Sequence, residues 1–94
     1  DYVIFKHRYS AFFQTHLDLL LRRLGADTLI LTGTTTPNCI RTTCYDAISL
    51  DYRVVVLEDC CSSNSEEIQQ ANLLDMANVG AEIWMSSEFL ETLC

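Results

Sequence analysis

The sequence predicts an α/β fold: a parallel sheet with helices packed on its faces. Three observations carry the prediction. Short β-prone runs alternate with stretches whose apolar residues recur at helical spacing. The run from Asp27 to Thr32 passes at once into Gly33 and a set of turn-forming residues. The run from Tyr52 to Leu57 is Val-rich, as in a strand. Helices lying between successive strands are βαβ crossovers, and crossovers impose parallel pairing.

The elements follow in order. Tyr2 to Phe5 is a short apolar run and reads as a first buried strand. Leu17, Leu20, Leu21 and Leu24 stand at i, i+3, i+4 and i+7, with Thr15 and Asp18 as a capping-box-like start and Gly25 as a stop, so the first helix lies there. Asp27 to Thr32 is the second strand. Ile40, Cys44, Ala47 and Ile48 mark a second helix, and Tyr52 to Leu57 a third strand, followed by a loop over Glu58 to Asn64. Ile68, Ala71 and Leu74, continued by Ala77, give the buried face of a third helix ending near Gly80, and Ala81 to Met85 the last strand. Beyond it, Phe89, Leu90 and Leu93 form an apolar tail compatible with an oligomer contact.

Composition narrows the function. A chain of 94 residues is at most one domain, and 49% hydrophobic residues place it among globular proteins. No run approaches the roughly 20 apolar residues of a membrane helix, so no membrane partner is expected. The net charge of -7 argues against nucleic acid, whose phosphates demand clustered Lys and Arg. Five cysteines, an odd number without framework spacing, fit a reducing compartment, so the expected location is cytoplasmic. The first residue, Asp1, opens neither a leader nor an initiator Met, and reads as an interior point of a longer protein.

The segment Gly33-Thr-Thr-Thr-Pro-Asn-Cys39 joins a buried strand directly to a helix and contains the single proline. Pro37 suits the first helical position, where its missing N–H is harmless and its fixed φ is already helical. Thr36 is then the N-cap, and Cys39 falls in the first turn. There the helix dipole favours negative charge and an N–H has no intrahelical partner, so a thiolate nucleophile and an anion-binding donor arise together. A small buried cysteine is the commoner state of this residue type. Lys6 shifts the balance, because it ends a strand at the same carboxyl-end edge, where α/β sheets bind ligands.

The blocks Val3-Ile-Phe-Lys-His-Arg-Tyr-Ser-Ala-Phe-Phe-Gln-Thr15, Leu31-Thr-Gly-Thr-Thr-Thr-Pro-Asn-Cys-Ile-Arg-Thr-Thr43, Asp46-Ala47 and Val54-Val-Val-Leu-Glu-Asp59 resemble, in order and separation, the second half of the isochorismatase-like cysteine hydrolases. The resemblance implies a three-layer αβα, Rossmann-like domain of strand order 3-2-1-4-5-6. Residues 1-94 would be its C-terminal part, supplying strands 3 to 6 and lacking strands 1 and 2. It also implies an Asp-Lys-Cys triad with Lys6 and Cys39 as two members. The Asp belongs to the family's first strand, and Asp1, Asp27, Asp46 and Asp59 are not candidates. A cis peptide is implied at Thr34-Thr35, which turns the Thr35 N–H toward the oxyanion, so the Thr35 and Cys39 amides form the expected oxyanion hole. Phe12, with Tyr9, is expected along the substrate pocket.

True isochorismatases act on a vinyl ether and generally lack this cysteine, so the resemblance favours C–N hydrolysis of a small amide, carbamoyl or ureido compound through a Cys39 thioester. No cofactor is expected, and no metal either: the metal-binding members use residues upstream of this region, which leaves out His7 and His16. His7 and Arg8 read as solvated or interface groups. The adjacent Cys60 and Cys61 lack zinc-ligand spacing. A phosphatase-type loop would need Arg where Tyr45 stands. Family members commonly form homo-oligomers, and this one is expected to require the segment upstream. With two central strands absent, the topology predicts that residues 1 to 94 alone do not bring Lys6 to Cys39. The rival reading is a non-catalytic interaction module with an inert cysteine.

Overall fold

The computed structural model describes residues 2 to 93; Asp1 and Cys94, together with the Leu93 side chain, lie outside the described residues. Its elements run α1 (Leu17–Leu24), β1 (Thr28–Thr34), a π-helical turn (Thr36–Ile40), α2 (Arg41–Ser49), β2 (Arg53–Ser62), α3 (Glu66–Asn78), β3 (Glu82–Trp84) and α4 (Ser86–Leu93). The strands form one sheet in the order β1-β2-β3, and both pairings are parallel. The predicted α/β class is what the chain adopts. None of the described helices is long and apolar enough to cross a membrane.

β2 is the centre of the molecule. Val54, Val55 and Val56 are almost completely buried, because a middle strand is flanked by neighbours in its plane and covered on its faces. On one face Val54 and Val56 pack with Ile40, Cys44 and Ala47 of the turn and α2, and with Leu73 and Met76 of α3. α4 returns against the sheet through an edge-on contact of Phe89 with Trp84 (ring centroids 6.3 Å apart). Its start is tied to β2, where the Asp59 carboxylate accepts both the Ser86 N–H and the Ser86 hydroxyl. This helix was not anticipated. Its signal was Glu88, which accepts the Met85 N–H three residues upstream, as a capping-box acid does.

Four expectations need correction. Tyr2 to Phe5 is not a strand: Tyr2, Val3 and Phe5 are 69%, 77% and 84% exposed. β-prone residues form a strand only where a neighbour takes their backbone groups, and no such neighbour is among the described residues. The sheet therefore has three strands where four were expected. The loop expected over Glu58 to Asn64 is largely strand, since β2 runs on to Ser62 and pairs again with β1 at Gly33↔Cys61 and Thr34↔Ser62, past an irregularity in register. The buried face of α3 is Gln69, Leu73 and Met76, not Ile68, Ala71 and Leu74. Gln69 occupies a core position because its amide nitrogen reaches the carbonyls of Glu58 (3.4 Å) and Cys61 (3.3 Å).

α1 carries the expected stripe and stop. Gly25, at φ 73°, turns the chain out of the helix, with its own N–H donating to Arg22 and the Ala26 N–H to Leu21. The capping box does not form, however. Asp18 is drawn instead to the Tyr52 hydroxyl (2.6 Å) and to Arg22 (3.2 Å), and Arg22 stacks over the Tyr52 ring at 4.4 Å. No residue of α1 is buried. Leu17, Leu20, Leu21 and Leu24 instead line an apolar groove with Tyr2 and Ile4, about 480 Å³ in volume.

Candidate active site

The turn that presents Cys39 is built at the end of β1. Gly33 stands at φ 115°, a conformation that other residues rarely adopt, and the Thr34-Thr35 peptide is cis. Thr35, extended at φ -106° and ψ 147°, is the cap residue, and Thr36 is the first helical residue, one position earlier than Pro37 suggested. Thr36 is fully buried, and its hydroxyl donates to the Ser62 carbonyl at 3.2 Å. A residue held against β2 in this way enters the helix rather than capping it. The turn is also wider than an α-helical one: the Thr35 carbonyl accepts from Ile40, five residues on (3.3 Å), where an α-helix would have drawn the bond from Cys39.

Lys6 meets Cys39. Its ammonium donates to the Cys39 sulfur at 3.3 Å and to the Arg8 carbonyl at 3.1 Å. The topological expectation that these residues alone could not assemble the pair is therefore corrected. That expectation assumed Lys6 had to be delivered by a paired strand. The segment is held instead from its far side, where the buried Ser10 and a bond from the Ala11 N–H to the Thr43 hydroxyl (3.0 Å) fasten it to α2. An irregular backbone anchored just downstream reaches what a strand was thought necessary to reach.

Cys39 is half-buried and opens onto a cleft of about 490 Å³ lined by Lys6, His7, Arg8, Tyr9 and Cys39. Tyr9, expected along a substrate pocket, lines this cleft. Phe12 does not line it: its ring stacks on Tyr52 (centroids 5.9 Å apart) and packs against the core. Aromatic area gains more from that stack than from an open rim. His7 and Arg8, read as solvated or interface groups, are exposed and also line the cleft, and their adjacency to Lys6 in an irregular segment was the available signal for the latter. The cleft consequently gathers the Lys6 and Arg8 cations beside the Cys39 sulfur.

The remaining thiols differ in kind. Cys44 is fully buried one turn beyond Cys39, and desolvation pushes its thiol up to about 11. Burial also raises Cys61, on β2. Among the described residues no group of His, Cys, Asp and Glu is arranged to hold a metal ion. A larger hollow of about 630 Å³ lies between β2 and α3, but neither Lys6 nor Cys39 lines it.

Residues 1–88 match the family model of the isochorismatase domain. Over 94 residues the chain is 45% identical to a protein of Arabidopsis thaliana described as "probable inactive nicotinamidase", covering 99% of this chain and 48% of that protein. It is 39% identical to a ureidoacrylate amidohydrolase of Yersinia enterocolitica, over 100% of this chain and 40% of the other. Among solved structures, an isochorismatase family protein of Desulfovibrio vulgaris superposes with a TM-score of 0.94 at 43% identity, across 99% of this chain and 49% of that one. The chain spans about half the length of the curated relatives it matches.

Proposed function

The chain belongs to the isochorismatase family, and on that premise we propose that it forms the nucleophile half of a cysteine hydrolase that cleaves a C–N bond of a small amide, carbamoyl or ureido compound. One observation carries the reading: the 3.3 Å contact between the Lys6 ammonium and the Cys39 sulfur, at the mouth of a basic cleft. An ammonium at that distance stabilises negative charge developing on a bound carbonyl. The kinship with an amidohydrolase of a ureido acid supports the choice of bond.

In the proposed reaction the thiol proton passes to an acid residue outside this chain, by resemblance an Asp. The sulfur forms a bond to the carbonyl carbon, and the Thr35 and Cys39 amides receive the oxyanion. Collapse breaks the C–N bond, and the amine leaves with the proton. Water then adds to the thioester and releases the carboxylate product and the free thiol. Each oxyanion donor contributes about 3 kcal/mol to the transition state. We further propose that the acid and the rest of the sheet come from polypeptide beyond these residues, which the coverage of relatives, the free edge of β1 and the exposed Tyr2, Val3 and Phe5 support. Cytoplasmic location and homo-oligomerisation belong to the same proposal.

The test uses the intact protein and a ureido or amide substrate that it is seen to turn over. Cys39→Ala lowers kcat by at least about 10³-fold without shifting the unfolding midpoint; unchanged turnover refutes the nucleophile assignment. A second reading, a non-catalytic family member, is favoured by the 45% identity to a protein described as inactive. Alkylation by iodoacetamide separates the two. In a hydrolase Cys39 reacts far faster near neutral pH than Cys44, Cys60 or Cys61, and in an inert member all react at equal slow rates.

A further inference from the structure

We infer that Thr43 is a positioning residue for the Lys6–Cys39 pair: its hydroxyl fastens the segment that carries Lys6 onto the helix that carries Cys39. The inference rests on the proposed pairing of these two residues and names what holds them in register. Thr43 lies four residues after Cys39, so the two share one face of the same helical run a single turn apart. It is 8% exposed, and its hydroxyl oxygen accepts the Ala11 N–H at 3.0 Å. Ala11 follows Lys6 by five residues.

The chain around Ala11 is a tight knot that transmits this bond. Ser10, 3% exposed, accepts the Phe12 N–H on its hydroxyl (3.1 Å) and the Phe13 N–H on its carbonyl (3.4 Å). The Thr15 hydroxyl donates to the Ala11 carbonyl at 2.6 Å. Residues 10 to 15 therefore behave as one unit, and the bond to Thr43 joins that unit to α2. Upstream of the knot, residues 6 to 9 are exposed and belong to no helix or strand. The stacking of Phe12 on Tyr52 holds the same unit to the core, and the bond to Thr43 is the contact that ties it to the helical run carrying Cys39. Valine has nearly the shape of threonine but no hydroxyl, so Thr43→Val keeps the side-chain volume and leaves the Ala11 N–H without its acceptor.

The experiment measures iodoacetamide alkylation of Cys39 in the intact protein, for Thr43→Val and Thr43→Ser, each also in a Lys6→Met background. Thr43→Val slows alkylation several-fold, Thr43→Ser restores it, and Thr43→Val has no further effect once Lys6 is gone, because it acts through the ammonium. An effect of the same size in both backgrounds, or none in either, overturns the inference. Amide exchange over residues 6 to 12, followed by mass spectrometry, decides the matter independently of reactivity. It accelerates in Thr43→Val and not in Thr43→Ser; equal exchange in both refutes the tether. Should Lys6→Met leave Cys39 alkylation unchanged, the Lys6–Cys39 reading itself falls, while the exchange result still judges Thr43.

Discussion

The two partners of the candidate site come from regions of opposite character. Cys39 stands on a turn whose first residue, Thr36, is fully buried and bonded to β2, and which leads into a helix packed by Cys44 and Ala47 on Val54 and Val56. Lys6 stands in an irregular, exposed segment, followed by a helix that buries none of its residues. Cys39 is thus placed by the core, and Lys6 by a segment fastened through the Ala11–Thr43 hydrogen bond and the Phe12 stack. A packed core holds a side chain through many contacts whose loss is cooperative. A tethered segment depends on individual hydrogen bonds, each worth about 1 kcal/mol net.

The largest test of this contrast is stability. Met76 is fully buried between α3 and the sheet, so Met76→Ala should lower unfolding free energy by about 2–5 kcal/mol through lost transfer energy and a residual cavity. Leu19 on α1 is 55% exposed, and Leu19→Ala should change it by no more than about 0.5 kcal/mol. Urea titration of both variants measures the difference. Equal losses would show that α1 is as much part of the core as α3, and the contrast would disappear.

A finer test uses the thiols. Cys44 lies in the packed region with its thiol pushed up to about 11 by desolvation. Its alkylation in the folded protein should therefore rise about tenfold per pH unit between pH 7 and 10 without levelling off. Levelling near neutral pH would mean that the α2 face opens to solvent. The smallest effect is expected at α4. The Asp59 carboxyl is held below its usual range by the Ser86 hydroxyl and N–H. A carboxyl lowered in the folded state adds stability that is present above the ordinary carboxylate range and lost as pH falls through its folded value. Exchange protection at the start of α4 should hold at neutral pH and decline below about pH 4. In Asp59→Asn that acid step should be absent, and a step of undiminished size would remove Asp59 from the account.

Much of this protein was determined by local sequence. The αβ alternation, the parallel sheet and the stop at Gly25 follow from periodicity and from the freedom of a residue without Cβ, and both act within a few positions of the chain. The Gly33–Cys39 turn was legible for the same reason. What local pattern could not decide was which β-prone run finds a partner. Tyr2 to Phe5 has the residues of a strand and is not one, because pairing is a property of two segments. Nor could it decide which face of α3 turns inward, where the buried Gln69 is supplied with acceptors by β2 and the apolar Ile68 and Leu74 are left outside. The 3.3 Å approach of Lys6 to Cys39 belongs wholly to tertiary structure. It spans 33 residues and depends on a hydrogen bond from Ala11 to Thr43 that no periodicity records. Local chemistry selects elements, but distances between elements are set by whatever polar group the packed core leaves within reach.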